Sequence, residues 1–168
     1  SRVKNVKPGD RVVLDPPYHC GVCFYCQSGR QNYCAEKYRT ETGVSHDGTF
    51  AEYHVVNASF LHHLPDEISF EEATLVEPLA CVLNALRQTR IRPEFRVLIV
   101  GAGPLGLLFG LVTRSMGCEV ALGEVSEYRV KQAQALFTEV QNYKEQDLPS
   151  INSNRRFDLV IDTSGKSL

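Results

Sequence analysis

The sequence predicts a chain of two parts: a turn-rich β region, then an α/β region built on a parallel sheet. Three observations predict it. Short apolar runs broken by Gly, Pro and Asp fill residues 1 to about 64. A capped helical stretch follows over 69–89. From residue 96 onward strand and helix patterns alternate, as they do where helices cover a parallel sheet.

In the first part, residues 3–13 read as strand, turn, strand around Pro8-Gly9-Asp10, with 11–14 the clearer strand. A second strand is expected over 50–56, from the partial alternation of Phe50-Ala51-Glu52-Tyr53-His54-Val55-Val56. Leu64-Pro65-Asp66 closes the β region. Ser69 is an N-cap with Glu72 as its capping-box partner, and the helix over 70–89 should bend near Pro78. Residues 96–100 then form a buried strand and 104–116 an apolar helix stopped by Gly117. A strand over 118–122 and a helix over 126–137, capped by Ser126, come next. Residues 139–156 offer a weak strand near Val140 and a loop, and 157–162 make the last strand.

Composition excludes several function classes. The 168 residues are 43% hydrophobic and 23% charged, with a net charge of -2 and no clustered Lys and Arg of the kind nucleic acid requires. Arg155-Arg156 reads as solvated surface. No apolar run approaches the ~20 residues that cross a bilayer, and Ser1-Arg2-Val3-Lys4 lacks the apolar core of a signal peptide. Six cysteines in such a chain point to metal or redox chemistry in the cytoplasm.

Four of those cysteines, Cys20, Cys23, Cys26 and Cys34, follow the spacing C-x2-C-x2-C-x7-C. Two-residue spacers let a turning chain aim successive thiolates at one point, and the longer spacer brings back a fourth to complete a tetrahedron. Four sulfur ligands leave no open position, so the implied zinc is structural. Gly21 and Gly29 supply the turns. Disulfides and an iron–sulfur cluster are the competing readings; the fourth spacing does not fit the cluster. Cys81 and Cys118, in a helix and a strand, read as buried small apolar residues.

Gly101-Ala102-Gly103-Pro104-Leu105-Gly106 follows a strand and opens a helix. In that context the first glycine permits a tight turn, the second admits a pyrophosphate, and the third lets helix and strand pack closely. The helix N-terminus then offers free N–H groups to the phosphates. Glu124, at the end of the next strand, would accept hydrogen bonds from ribose hydroxyls and repel a 2′-phosphate, so NAD is expected rather than NADP. Arg129 and Thr163 complete the candidate cofactor-binding set with Gly101, Gly103, Pro104, Leu105, Gly106 and Glu124. Gly165-Lys166-Ser167 lacks the upstream glycine of a phosphate loop.

These motifs, in this order, resemble the zinc-dependent medium-chain dehydrogenases: alcohol, sorbitol and threonine dehydrogenases. The resemblance also rests on Lys7-Pro8-Gly9-Asp10-Arg11-Val12, Asp47-Gly48-Thr49-Phe50-Ala51-Glu52-Tyr53, Glu77-Pro78-Leu79-Ala80 and Phe157-Asp158-Leu159-Val160-Ile161-Asp162. It implies α/β plus β. Part of a GroES-like β-rich catalytic domain would occupy 1–92, with its zinc lobe at about 18–38 and a connecting helix at about 69–89. The first half of a Rossmann doubly wound parallel sheet would occupy 93–168. It further implies oxidation of an alcohol or polyol coupled to NAD reduction, in a homodimer or homotetramer. A second, catalytic zinc would lower the pKa of the substrate hydroxyl.

Glu77 matches the family position that supplies a ligand, or a nearby exchanging carboxylate, to that zinc. Without the resemblance it reads as a surface acid. The other expected ligands, a cysteine and a His-Glu pair, would lie upstream of residue 1. The chain contains no Gly-His-Glu, and His19, His46, His54, His62 and His63 read as surface or packing residues. The chain is therefore expected to be an internal fragment that does not turn over by itself. A non-catalytic zinc- and nucleotide-binding protein on the same scaffold is the rival reading.

Overall fold

In a computed structural model of the chain, residues 3–16, 18–143 and 157–165 are described. They fall into two units, Ser1–Val76 and Glu77–Leu168.

In the first unit, β1 (Val12–Leu14) pairs antiparallel with β2 (Leu61–His63), Val13 facing His62. The expected turn forms as Lys7 and Asp10 bond across Pro8-Gly9, with Lys7 N–H donating to the Asp10 carboxylate at 2.9 Å. Arg11 extends from the start of β1 to donate to the carbonyls of Pro65, Asp66 and Ile68. Between the strands lie the short helices α1 (Phe24–Gln27) and α2 (Lys37–Thr40) and a 3-10 turn, Gln31–Tyr33. These helical turns carry no periodic apolar signal, because four residues are too few to show one.

The strand expected over 50–56 does not form. Among the described residues no strand pairs with this segment, and a strand needs a neighbour for its backbone N–H and C=O groups. Its Phe50, Tyr53 and Val55 are exposed. The partner of β1 is instead Leu61–His63, hidden from sequence reading by its two polar histidines.

The helix expected over 70–89 is two helices, α3 (Phe70–Ala73) and α4 (Val76–Thr89). The Ser69–Glu72 capping box is present in both directions. The break comes at Thr74-Leu75, before Pro78, which sits in the first turn of α4 where its missing N–H costs no hydrogen bond. The division at Val76 falls at the start of α4 and has a packing reason. Val82 and Leu86 of α4 are buried in the second unit's core.

That unit follows the expected alternation: β3 (Arg96–Val100), α5 (Pro104–Ser115), β4 (Glu119–Glu124), α6 (Glu127–Gln134), β5 (Glu139–Asn142) and β6 (Leu159–Asp162). All pairings are parallel, in the order β5-β4-β3-β6. Numbered from β3, this is 3-2-1-4, the first four strands of a Rossmann sheet, with the strand order reversing between β3 and β6. Val97, Ile99, Ala102, Phe109, Cys118, Leu122, Ala133 and Phe137 complete the core. Burying each large apolar side chain contributes about 1.5–3 kcal/mol. The loop expected after Val140, Arg155-Arg156 and Lys166-Ser167 lie outside the described residues beyond the observed β5. No helix among the described residues is long and apolar enough to cross a membrane.

Candidate functional site

The cysteine spacing brings its four sulfurs together. The Sγ atoms of Cys20, Cys23, Cys26 and Cys34 all lie within 4.8 Å of one another, and no other such cluster of His, Cys, Asp or Glu occurs among the described residues. Cys20 and Cys26 sulfurs are 3.9 Å apart, those of Cys23 and Cys26 3.5 Å. These separations are far longer than a disulfide bond of about 2.05 Å. They approach the ~3.8 Å edge of a tetrahedron with Zn–S distances of 2.3 Å. Cys26 and Cys34 are buried, while Cys20 lies at the surface.

Electrostatics point the same way. The backbone N–H of Cys26 helps lower the Cys23 thiol to about 6. Burial pushes Cys26 up to about 12. Cys26 stays a neutral thiol among its neighbouring sulfurs unless a cation sits between them; ionising all four at this spacing needs that cation, and the donor set fits zinc. Gly21 and Gly29 take the positive φ that the lobe's turns require. Of the two remaining cysteines, Cys118 is buried as expected. Cys81 is exposed and donates to the Glu77 carboxylate at 3.2 Å, which corrects its reading as a buried apolar residue. One helical turn separates Glu77 from Cys81, so the two side chains share a face of α4.

The glycine loop lies at the C-terminal ends of β3, β4 and β6. Gly101 has φ +97°, open to glycine, and a Cβ there would stand 2.9 Å from Thr163 Oγ1. A Cβ on Gly106 would stand 2.0 Å from the Gly101 carbonyl oxygen, so α5 approaches the loop too closely for any side chain. Gly103 is the N-cap of α5, and Pro104 opens the helix. No side chain caps that end, which leaves its N–H groups for an anion. Leu105 is exposed beside it.

Glu124 ends β4 against this loop. One carboxylate oxygen accepts the N–H of Ala102 at 2.8 Å; the other accepts those of Val125 and Ser126 at 2.7 and 2.9 Å. The residue is 5% exposed. Burial pushes its pKa upward, but the N–H groups of Ser126, Ala102 and Val125 and the charge of Arg129 outweigh it, and the net direction is down. Arg129 lies 3.9 Å from the same carboxylate and is itself exposed. It also borders the loop, since a Cβ on Gly103 would stand 3.8 Å from its Nη1.

Thr163, just past β6, places its hydroxyl 2.9 Å from the Val100 carbonyl and 3.1 Å from that of Gly101. Gly101, Gly103, Gly106, Glu124, Arg129 and Thr163 thus converge around one loop. Ala102 escaped sequence reading because it contributes a backbone N–H, which no residue type marks.

The sequence profile of the alcohol dehydrogenase GroES-like domain matches residues 1–66. The chain is 37% identical to a D-altritol 5-dehydrogenase of Agrobacterium fabrum, over 98% of its own length and 49% of that protein. Among solved structures, an alcohol dehydrogenase from Escherichia coli CFT073 complexed with NADH superposes with a TM-score of 0.85 at 27% identity, covering 94% of this chain and 48% of the other. A zinc-binding dehydrogenase from Sinorhizobium meliloti bound to NADP gives 0.84 at 28% identity, covering 98% and 50%. The chain spans about half the length of the curated relatives it matches over nearly its whole length. With a GroES-like first part, a four-cysteine cluster and the opening strands of a Rossmann sheet, the chain belongs to the zinc-dependent medium-chain dehydrogenase family.

Proposed function

We propose that the chain supplies the structural zinc lobe and the adenosine half of the cofactor site of a zinc-containing, NAD-dependent alcohol or polyol dehydrogenase. The observation that carries this reading is Glu124, an ionised acid at the end of β4, hydrogen-bonded to the glycine loop itself. A dinucleotide whose pyrophosphate meets the N-terminus of α5 would set its ribose beside that carboxylate. Solved neighbours hold NADH or NADP, so choice between them falls to this chain's own acid. The negative charge of Glu124 repels a 2′-phosphate and favours NAD. Pro104, Leu105 and Arg129 border the same path.

Bound NAD would supply the acceptor for a hydride from the carbinol carbon, and the hydroxyl proton would leave to solvent. A catalytic zinc, when bound, supplies Lewis acidity toward the substrate oxygen. Glu77 is the residue here proposed to ligate that zinc or stand next to it. Polyol as substrate class draws on the D-altritol 5-dehydrogenase likeness. Because the chain spans about half of its relatives' length, we assign turnover to the complete protein and not to residues 1–168 alone. Its placement in the cytoplasm rests on the cysteine content, and its assembly as a homodimer or homotetramer on the family resemblance.

The test is titration of the complete protein with NADH and NADPH, followed by NAD-coupled oxidation of C4 to C6 polyols and simple alcohols. Tighter NADH binding and polyol oxidation are expected. Tight nucleotide and zinc binding without oxidation of any alcohol would favour the non-catalytic reading.

A further inference from the structure

The peptide group between Gly101 and Ala102 is held at both poles. Its carbonyl oxygen lies 3.1 Å from Thr163 Oγ1, whose single hydrogen it shares with the Val100 carbonyl at 2.9 Å, and its N–H donates to Glu124 at 2.8 Å. The two side chains come from opposite sides of β3, since Glu124 ends β4, Thr163 follows β6, and both strands pair with β3. Backbone bonds frame the same spot. Gly101 N–H donates to the Gly123 carbonyl at 2.7 Å and Thr163 N–H to that of Val100 at 2.8 Å. The hydroxyl of Thr163 also occupies space that Cβ atoms on Gly101 and Gly106 would need, at 2.9 and 2.8 Å.

Gly101 at φ +97° lies where glycine has neighbouring conformations of similar energy, so its peptide would otherwise be free to rotate. Rotation would turn the Gly101 carbonyl toward an arriving pyrophosphate and set negative charge against a phosphate oxygen. We propose that Thr163 and Glu124 are positioning residues that together lock the Gly101–Ala102 peptide, so that the loop is shaped for a dinucleotide before one binds. Thr163 then acts through the loop backbone, not by contact with the cofactor. The proposal rests on the dinucleotide reading above. It goes further in giving Glu124 a second task, in the ligand-free protein, and in giving Thr163 its task.

Preorganisation of this kind raises affinity by removing an ordering cost from binding. Thr163→Val keeps the shape and deletes the hydroxyl. In the complete protein it should weaken binding of ADP-ribose and NADH about threefold to tenfold, the equivalent of one hydrogen bond. KM for NAD should rise with kcat at saturation unchanged. Thr163→Ser, which restores the hydroxyl, should restore affinity. Glu124→Gln, which turns one acceptor into a donor, should unlock the N–H pole. Loss of either pole frees the same peptide, so the double variant should lose less than the sum of the two.

Unchanged ADP-ribose affinity in Thr163→Val would overturn the proposal, as would equal losses in the Val and Ser variants. Strict additivity with Glu124→Gln would overturn the shared lock. If Thr163→Val does not fold, Thr163→Ala set against Thr163→Ser carries the test: weakened ADP-ribose binding in Ala with parental affinity in Ser supports the lock, and any other pair of results rejects it. Failure of the unaltered protein to bind either ligand would instead sink the dinucleotide reading itself.

Discussion

Glu124 accepts the backbone N–H of Ala102 at 2.8 Å, across twenty-two positions of sequence, from a side chain that is 4% exposed. This bond gives Glu124 a thermodynamic role besides any contact with a cofactor. Its pKa is lowered in the folded chain, despite burial, by N–H groups and by Arg129. A carboxylate depressed on folding adds stability above its unfolded pKa, and that stability is lost as pH falls through the folded pKa. Acid should therefore destabilise the parent more than Glu124→Gln over that interval. Urea midpoints across a pH series, read from the second unit, measure this. Parallel pH profiles for the two proteins would refute it. At neutral pH the variant should be less stable by about 1–3 kcal/mol, since a buried donor loses its acceptor.

Cofactor choice gives a separate prediction. Removing the carboxylate with Glu124→Ala takes away both a ribose acceptor and the repulsion of a 2′-phosphate, while Arg129 stays. The ratio of NAD to NADP specificity should fall by about tenfold or more, as for loss of a charged hydrogen bond. Ratios of kcat/KM for the two cofactors test this, and an unchanged ratio would exclude Glu124 from ribose recognition.

Cys26→Ser addresses the metal lobe. Cys26 lies near Cys20 and Cys23 in the cluster, so its loss should remove the central buried sulfur. Metal analysis of residues 1–168 should give one zinc in the parent and none in the variant. Dispersal of the lobe should leave the glycine loop intact, because the lobe lies in the other unit. Zinc content unaffected by the substitution would contradict a four-thiolate site.

Legibility in the sequence followed the kind of signal each feature leaves. The four-cysteine lobe was readable because residue type and spacing are both written in side chains: the sulfurs of Cys20, Cys23, Cys26 and Cys34 lie together. The parallel sheet was readable because its strands are buried apolar runs such as Arg96–Val100. The 50–56 segment failed because alternation marks the capacity to form a strand, and only a partner makes one. Leu61–His63 failed for the converse reason, being a strand with little apolar content. In the site, the sequence places Thr163 only among candidate cofactor residues; the direction its hydroxyl takes, onto the backbone at Val100 and Gly101, depends on the register of β6 beside β3.

Gly106 provides the last prediction. In Gly106→Ala the new methyl would stand 2.0 Å from the Gly101 carbonyl oxygen and 2.8 Å from Thr163 Oγ1. Neither neighbour has room to yield: one is backbone, and the other bonds to that backbone. Either α5 moves out from the sheet or the Gly101 peptide turns, and each change disturbs the N-terminal turn that would face a pyrophosphate. Overpacking of this sort costs about 1–3 kcal/mol. Ala is the better helix former by up to about 1 kcal/mol, which offsets only part of it. Gly106→Ala should thus lower the second unit's thermal midpoint and abolish measurable ADP-ribose binding, while zinc content stays at the parent's value. Calorimetry, ligand titration and metal analysis on one preparation separate these effects. A variant that binds ADP-ribose like the parent would show that the close approach of α5 to Gly101 is not needed for the site.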